Sequence, residues 1–342
     1  MIDRLRKGLL AVLAMVTLLA CNGSPPAHLA TQVAPPAPPA ALQTIAQPSP
    51  GHLVVLMITD NSDHIYGGTD ASIGPGVTNN ASKMSAFFNQ VAAATGQQLV
   101  SLSIVGTAVP PDPFTCPNIN EKLRSLAFDK DDTVVVYYAG HGFNLNPQTV
   151  PNVAQYAVKE FANTKPTEMP FLYCGDPNLK NSVNLDMIAS WIARKQPRLT
   201  IIIADACNSF LTPTPAPPSG VAAAAPPLPP TGPDLRYISL FLEARGNVMI
   251  AGNAAGEKDY SFYQTPNSSR YPMGLATKQL LDIFASMPRD ERTTWQSVGA
   301  RFTSMSVLAK DPEEPATAPA KQFQQKPILW AGAPFLEPSV AQ

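Results

Sequence analysis

The sequence predicts an α/β fold: a three-layer αβα sandwich around a mostly parallel sheet of about six strands. Three observations carry this expectation. Five short runs (residues 53–59, 98–105, 133–138, 199–204 and 247–251) are apolar almost throughout rather than alternating, as strands covered on both faces should be. Helix-like segments lie between and after them, and strands alternating with helices argue for βαβ units. Two of the runs end directly in reactive side chains, which is where open parallel sheets place their sites.

The chain starts with Arg4, Arg6 and Lys7, followed by an apolar stretch over residues 8–20 that is short for a membrane span and reads as a signal-peptide core. It closes on Leu18-Leu19-Ala20-Cys21, which resembles the lipobox of bacterial lipoproteins. That resemblance implies removal of residues 1–20, acylation of Cys21, and a lipid anchor holding the protein in the bacterial cell envelope. Asn22 after the cysteine resembles the outer-membrane-sorted pattern. Residues 21–50 are rich in Pro, Ala and Gln and carry too little apolar surface to offset their ordering entropy, so they are expected to form an extended tether. Residues 51–338 are expected to form the globular domain.

Within that domain, strand 53–59 precedes a helix over 80–94 that spaces Met84, Phe87, Phe88 and Val91 on one face. Strand 98–105, a helix over 119–127 and strand 133–138 follow. A helix over 185–195, strand 199–204, a helix over 234–245 and strand 247–251 continue the alternation. Helices are expected over 273–286 and 294–308, the latter with capping chemistry in residues 290–294. Residues 212–233 are Pro- and Ala-rich without a charged residue, and read as a surface loop. With 24 basic and 25 acidic side chains the chain has no nucleic-acid footprint.

The chemistry concentrates at two strand ends. Val134-Val135-Val136-Tyr137-Tyr138-Ala139 runs into Gly140-His141-Gly142, and Ile201-Ile202-Ile203-Ala204 runs into Asp205-Ala206-Cys207-Asn208. If the strands are neighbours, about 4.8 Å apart, His141 and Cys207 share one cleft. An unassisted thiol is mostly protonated at neutral pH. A nearby imidazole raises its thiolate fraction and can later protonate a leaving amine. The amides of Gly142 and Cys207 are candidate oxyanion donors.

In these residues the chain resembles the caspase and metacaspase superfamily, with its His-Gly turn and its strand ending in Asp-X-Cys. Asn79-Asn80-Ala81, Met249-Ile250-Ala251-Gly252-Asn253-Ala254, Gly274-Leu275-Ala276-Thr277-Lys278-Gln279-Leu280-Leu281, and Gln325-Lys326-Pro327 with Trp330 resemble further family segments in the same order. The resemblance implies a caspase-like fold and a cysteine endopeptidase acting on peptide or protein substrates, with His141 and Cys207 catalytic and no organic cofactor; no metal ligand is assigned, and calcium dependence is left open. It also implies that Asp205 binds a basic side chain at the cleaved position, although Asn80 stands where relatives carry a second carboxylate. Because residues 209–232 contain no Lys, Arg, Asp or Glu, neither a basic- nor an Asp-specific enzyme would cut itself there, and a single working chain is expected.

Two other function classes compete: a membrane-tethered caspase-like module that binds without cutting, and a hydrolase of the wider clan with legumain-like or gingipain-like preference. Cys116 and Cys174 could form a disulfide or remain two thiols. Asp60, Asp63 and His64, or Asp129, Asp131 and Asp132, could mimic a metal site, but the second group reads better as a solvated turn. Asp176 follows a strand-like segment without an assigned role, and His52 reads as a boundary residue. The sequence leaves the oligomeric state open.

Overall fold

A computed structural model describes residues 50–60, 74–106, 114–145, 169–172, 174, 182–208, 234–255, 273–302, 305–309, 321–325 and 327–332. The chain divides into two units, Met1–Gln47 and Pro48–Gln342, and the first lies wholly outside the described residues. The signal segment, Cys21, Asp63, His64, Asp176 and the loop over 212–233 therefore lie outside them too.

In chain order the elements are β1 (His52–Asp60), α1 (Gly74–Thr95), β2 (Gln98–Gly106), α2 (Cys116–Ser125), β3 (Thr133–Gly140), β4 (Gly142–Phe143), β5 (Phe171–Leu172) and β6 (Val183–Asn184). They continue with α3 (Leu185–Ala193), β7 (Leu199–Ala206), α4 (Leu235–Tyr237) running into a π-helical segment Ile238–Glu243, and β8 (Gly246–Ala251). The last are α5 (Leu275–Ser286), α6 (Trp295–Arg301), β9 (Met305–Ala309), β10 (Lys321–Gln325) and β11 (Ile328–Gly332).

Among the described residues the main sheet has six strands in the order β11-β8-β7-β3-β1-β2, as the apolar runs predict. All pair in parallel except β11, which runs antiparallel to β8. Alternation explains why the runs read as continuously apolar. Leu56, Ile58, Val134, Val136, Tyr138 and Ile202 face one core with α2 and α3. Leu53, Val55, Val135, Tyr137, Ile201 and Ile203 face the other, with α1, α5 and α6. In this second core Phe87 stacks on Phe284 at 4.9 Å between ring centroids, and Trp295 meets Phe241 edge-on at 5.4 Å.

Three expectations need correction. The helix expected over 294–308 stops at Arg301, and Met305–Ala309 is instead a strand paired with β10. Its alternating Met305, Val307 and Ala309 suit a two-stranded ribbon as well as a helix face, and only the partner strand decides between them. The small sheet β4-β5-β6 was not anticipated, because two-residue strands leave no periodicity to read. The aspartates before β3 are not all solvated. Asp132 is buried and accepts hydrogen bonds from the main-chain N–H groups of His52 (2.7 Å) and Asp129 (2.9 Å), with its carboxylate also 3.0 Å from His52 Nδ1. This joins the start of β1 to the turn before β3, at the sheet edge opposite the reactive strand ends.

Candidate active site

Strands β3 and β7 are adjacent and pair in parallel. Ala139 pairs with Asp205 and Gly140 with Ala206, so His141 and Cys207 are the first residues beyond the ends of two neighbouring strands. Both side chains are partly exposed at this carboxyl edge, and Cys207 is not disulfide-bonded.

Packing leaves no spare room where the two strand ends meet. A Cβ on Gly142 would lie 2.4 Å from the carbonyl oxygen of Cys207 and 3.0 Å from Ala206 Cβ, so only a residue without a side chain fits there. Gly140 adopts a positive φ of 152°, and a Cβ on it would meet Asp60 Cβ at 2.5 Å. The Tyr138 hydroxyl donates to the main-chain oxygen of His141, supporting the turn from below. Thus the two glycines flanking His141 are explained by close approach, one to β1 and one to the Cys207 loop.

Burial alone pushes the His141 imidazole down from its ordinary value to about 4, because charge is costly away from water. At neutral pH the ring is therefore uncharged and able to accept a proton. Asp205 is fully buried on the face of the sheet that carries α5. Its Oδ2 accepts from Asn80 Nδ2 at 3.0 Å and from the main-chain N–H of Thr277 at 3.1 Å. Its Oδ1 has no hydrogen-bond partner among the described residues. Burial pushes this carboxyl up to about 6, against the hydrogen bonds from Thr277 and Asn80 that favour its charged form. Asn80 in turn accepts from the main-chain N–H of Gly274 at 2.9 Å. A Cβ on Gly274 would sit 1.9 Å from Asp205 Oδ2, so this segment lies flat over the carboxylate.

The other face of the Cys207 loop has its own network, which the sequence reading did not identify. Asn144 Nδ2 donates to Asn208 Oδ1 at 2.9 Å, and Asn208 Nδ2 donates to the carbonyl oxygen of Asn253 at 3.0 Å. The only sequence hint was position: Asn144 lies three residues after His141, and Asn208 directly follows Cys207. Thr277 and Gly274 were visible as part of a motif, but their contact with Asp205 was not.

Cys116 and Cys174 form a disulfide, which resolves the two options the sequence left open. It ties the start of α2 to the residue two beyond β5, and β5 pairs with β4 through Gly142–Leu172 and Phe143–Phe171. Among the described residues no three His, Cys, Asp or Glu side chains gather as a metal-holding group, and no helix is long and apolar enough to cross a membrane. Asp60 is buried at the end of β1 beneath Gly140.

Comparison with known proteins follows the same lines. The model of the caspase domain matches residues 66–311. No curated protein matches. Among solved structures the chain is similar to the crystal structure of caspase-1 from Spodoptera frugiperda, with 11% identity and a TM-score of 0.45 over 87% of this chain and 94% of that one. It is also similar to the structure of pro-sf-caspase-1, with 12% identity and a TM-score of 0.36 over 82% of this chain and 91% of that one.

Proposed function

The chain belongs to the caspase-domain family, and from that premise we propose that it is a cysteine endopeptidase with Cys207 as nucleophile and His141 as its proton carrier. The observation that supports this most directly is the register that ends β3 and β7 level at the Gly140–Ala206 pair, with His141 and Cys207 the next residue after each. In the proposed reaction the neutral imidazole takes the thiol proton, and Cys207 Sγ attacks the substrate carbonyl carbon. The displaced electron pair moves onto the carbonyl oxygen, for which the amides of Gly142 and Cys207 are the candidate donors. Collapse breaks the C–N bond as His141 returns the proton to the leaving amine. A water molecule, deprotonated by His141, then hydrolyses the thioester.

For specificity the proposal is cleavage after Arg or Lys, with Asp205 as the counter-charge. Its support is the buried Oδ1 that has no hydrogen-bond partner among the described residues, since an unmet buried acceptor favours an incoming guanidinium or ammonium. The lipid anchor at Cys21 and a place in the bacterial cell envelope belong to the same proposal and rest on the lipobox resemblance.

The test is covalent labelling with an acyloxymethyl ketone probe carrying Arg at the reacting position, compared on wild type, Cys207→Ala and His141→Ala. Labelling of wild type that both substitutions abolish is the expected result. A folded wild-type protein that reacts with neither this probe nor neutral and acidic analogues would overturn the peptidase reading in favour of a binding module.

A further inference from the structure

The sheet ladder between β3 and β7 ends with Gly140 and Ala206. His141 and Cys207 lie just beyond it, so ladder hydrogen bonds do not fix their separation. A tie between the two loops beyond the ladder bears directly on the point where the proposed chemistry occurs.

We infer that Asn144 and Asn208 are positioning residues, forming a buried amide clamp that locks the His141 loop to the Cys207 loop. Three features support this. First, the clamp is directional. Asn144 Oδ1 accepts from the main-chain N–H of Leu145 at 2.7 Å, which leaves its Nδ2 to donate to Asn208 Oδ1. Asn208 must then present its own Nδ2 to the oxygen of Asn253. Neither amide can flip without setting donor against donor or acceptor against acceptor. Second, both side chains are buried, Asn208 completely, so water cannot readily replace a lost partner. Third, the clamp spans three strand ends. It joins the residue after β4, the residue after Cys207 and the turn after β8, where the Gly252 N–H still bonds to Ala204.

Parity places this clamp on the opposite face of the sheet from Asp205. Ala204 and Ala206 face the core with α2 and α3, while Ile201 and Ile203 face the core with α1 and α5. Asp205 is tied to Asn80 and Thr277 on one side, and Asn208 to Asn144 and Asn253 on the other. The nucleophile stands between two anchored neighbours in sequence. The Asn208 clamp also reaches Asn144, in the segment that follows His141. Loss of the clamp is therefore expected to disturb the His141–Cys207 geometry without touching residues that contact substrate.

The inference rests on the peptidase reading, so its test includes a readout that needs no peptide. Full-length wild type, Asn208→Leu, Asn208→Asp, Asn144→Ala and Asn144→Ala/Asn208→Leu are compared, well below their melting temperatures. Peptide cleavage is expected to show kcat reduced about 10- to 100-fold with KM little changed, because misplacement by about 1 Å suffices for such a loss. Asn208→Asp keeps the acceptor for Asn144 and should retain more activity than Asn208→Leu. The double variant should lose no more than the worse single one, since both remove one clamp. Site-resolved alkylation of Cys207 by iodoacetamide, followed by peptide mass spectrometry, should slow at pH 7 toward the rate of His141→Ala. Folded variants with wild-type kcat and wild-type alkylation, or a loss carried wholly by KM, would overturn the clamp. Should wild type prove inactive on peptides, the alkylation series alone decides: no change relative to wild type sinks the inference, and slowing supports it.

Discussion

Gly142 and Cys207 are in such close contact that a methyl group on the glycine would come within 2.4 Å of the cysteine's carbonyl oxygen. The first obstructing atom belongs to backbone, so the clash cannot be relieved by rotating a side chain. Gly142→Ala must push β4 away from the end of β7, which costs about 1–3 kcal/mol, as overpacking typically does. The same shift moves His141 and the proposed oxyanion donor. We expect at least a hundred-fold loss of kcat in a protein that still folds, measured by peptide cleavage beside a thermal melt. Near-normal kcat in Gly142→Ala would mean that the contact is not part of the working geometry.

Under the proposed basic specificity, Asp205 is expected to make substrate preference depend on pH. Its carboxyl is held up to about 6, so it is neutral in mild acid and charged at neutral pH. Preference for an Arg substrate over its neutral analogue is expected to rise between pH 5 and 7, with a midpoint near 6. Asp205→Asn should flatten that rise and reduce the preference. A preference in Asp205→Asn that still climbs with pH would assign the basic specificity to another group and leave Asp205 a structural role.

His141 and Asp205 also act on stability, with opposite signs. The folded protein holds the His141 imidazole at about 4, below its ordinary 6.5, so the associated stability is present above pH 6.5 and lost as pH falls through 4. The folded protein holds the Asp205 carboxyl at about 6, above its ordinary 3.8, so the associated stability is present below pH 3.8 and lost as pH rises through 6. Each is on the order of a few kcal/mol, and between pH 4 and 6 the two act in opposite directions. Removing either one should expose the other. Relative to wild type, His141→Ala is expected to become less stable as pH rises from 4 to 6.5, and Asp205→Asn more stable over the same range. Urea melts at both pH values read this directly, and parallel shifts in the two variants would contradict it.

The Cys116–Cys174 disulfide closes a loop across 58 positions, which chain entropy converts to about 4 kcal/mol, with measured effects commonly smaller. It also steadies β5, against which β4 and the His141 turn are paired. The proposed mechanism, by contrast, requires Cys207 to keep its thiol. Cleavage activity measured against redox potential should therefore pass through a maximum, falling on the reducing side as the disulfide opens. The Cys116→Ser/Cys174→Ser variant should lose that reducing-side fall and melt at a lower temperature than wild type. A variant with the wild-type redox profile would separate this disulfide from the active site.

Much of this was readable from the sequence. The doubly covered strands 133–138 and 199–204 announced themselves because both faces of a buried parallel strand must be apolar, and the residues that follow them are chemically reactive. Elements held by partners distant in sequence were not readable. Met305–Ala309 has a pattern that helix and ribbon share until β10 pairs with it, and β4, β5 and β6 are too short to carry any pattern.

The candidate site divides the same way. The sequence by itself determined that a His-Gly turn and an Asp-X-Cys turn each end a buried strand, because local apolar runs and glycines fix where strands stop. Only the tertiary structure decided that β3 and β7 are neighbours in a register that ends them level, one residue before His141 and Cys207. It alone placed Gly274 and Thr277 over Asp205, and Asn144 against Asn208. The reason is physical: a hydrogen bond between side chains 64 positions apart leaves no periodic trace in either segment, and becomes visible only when the sheet brings the two strand ends together.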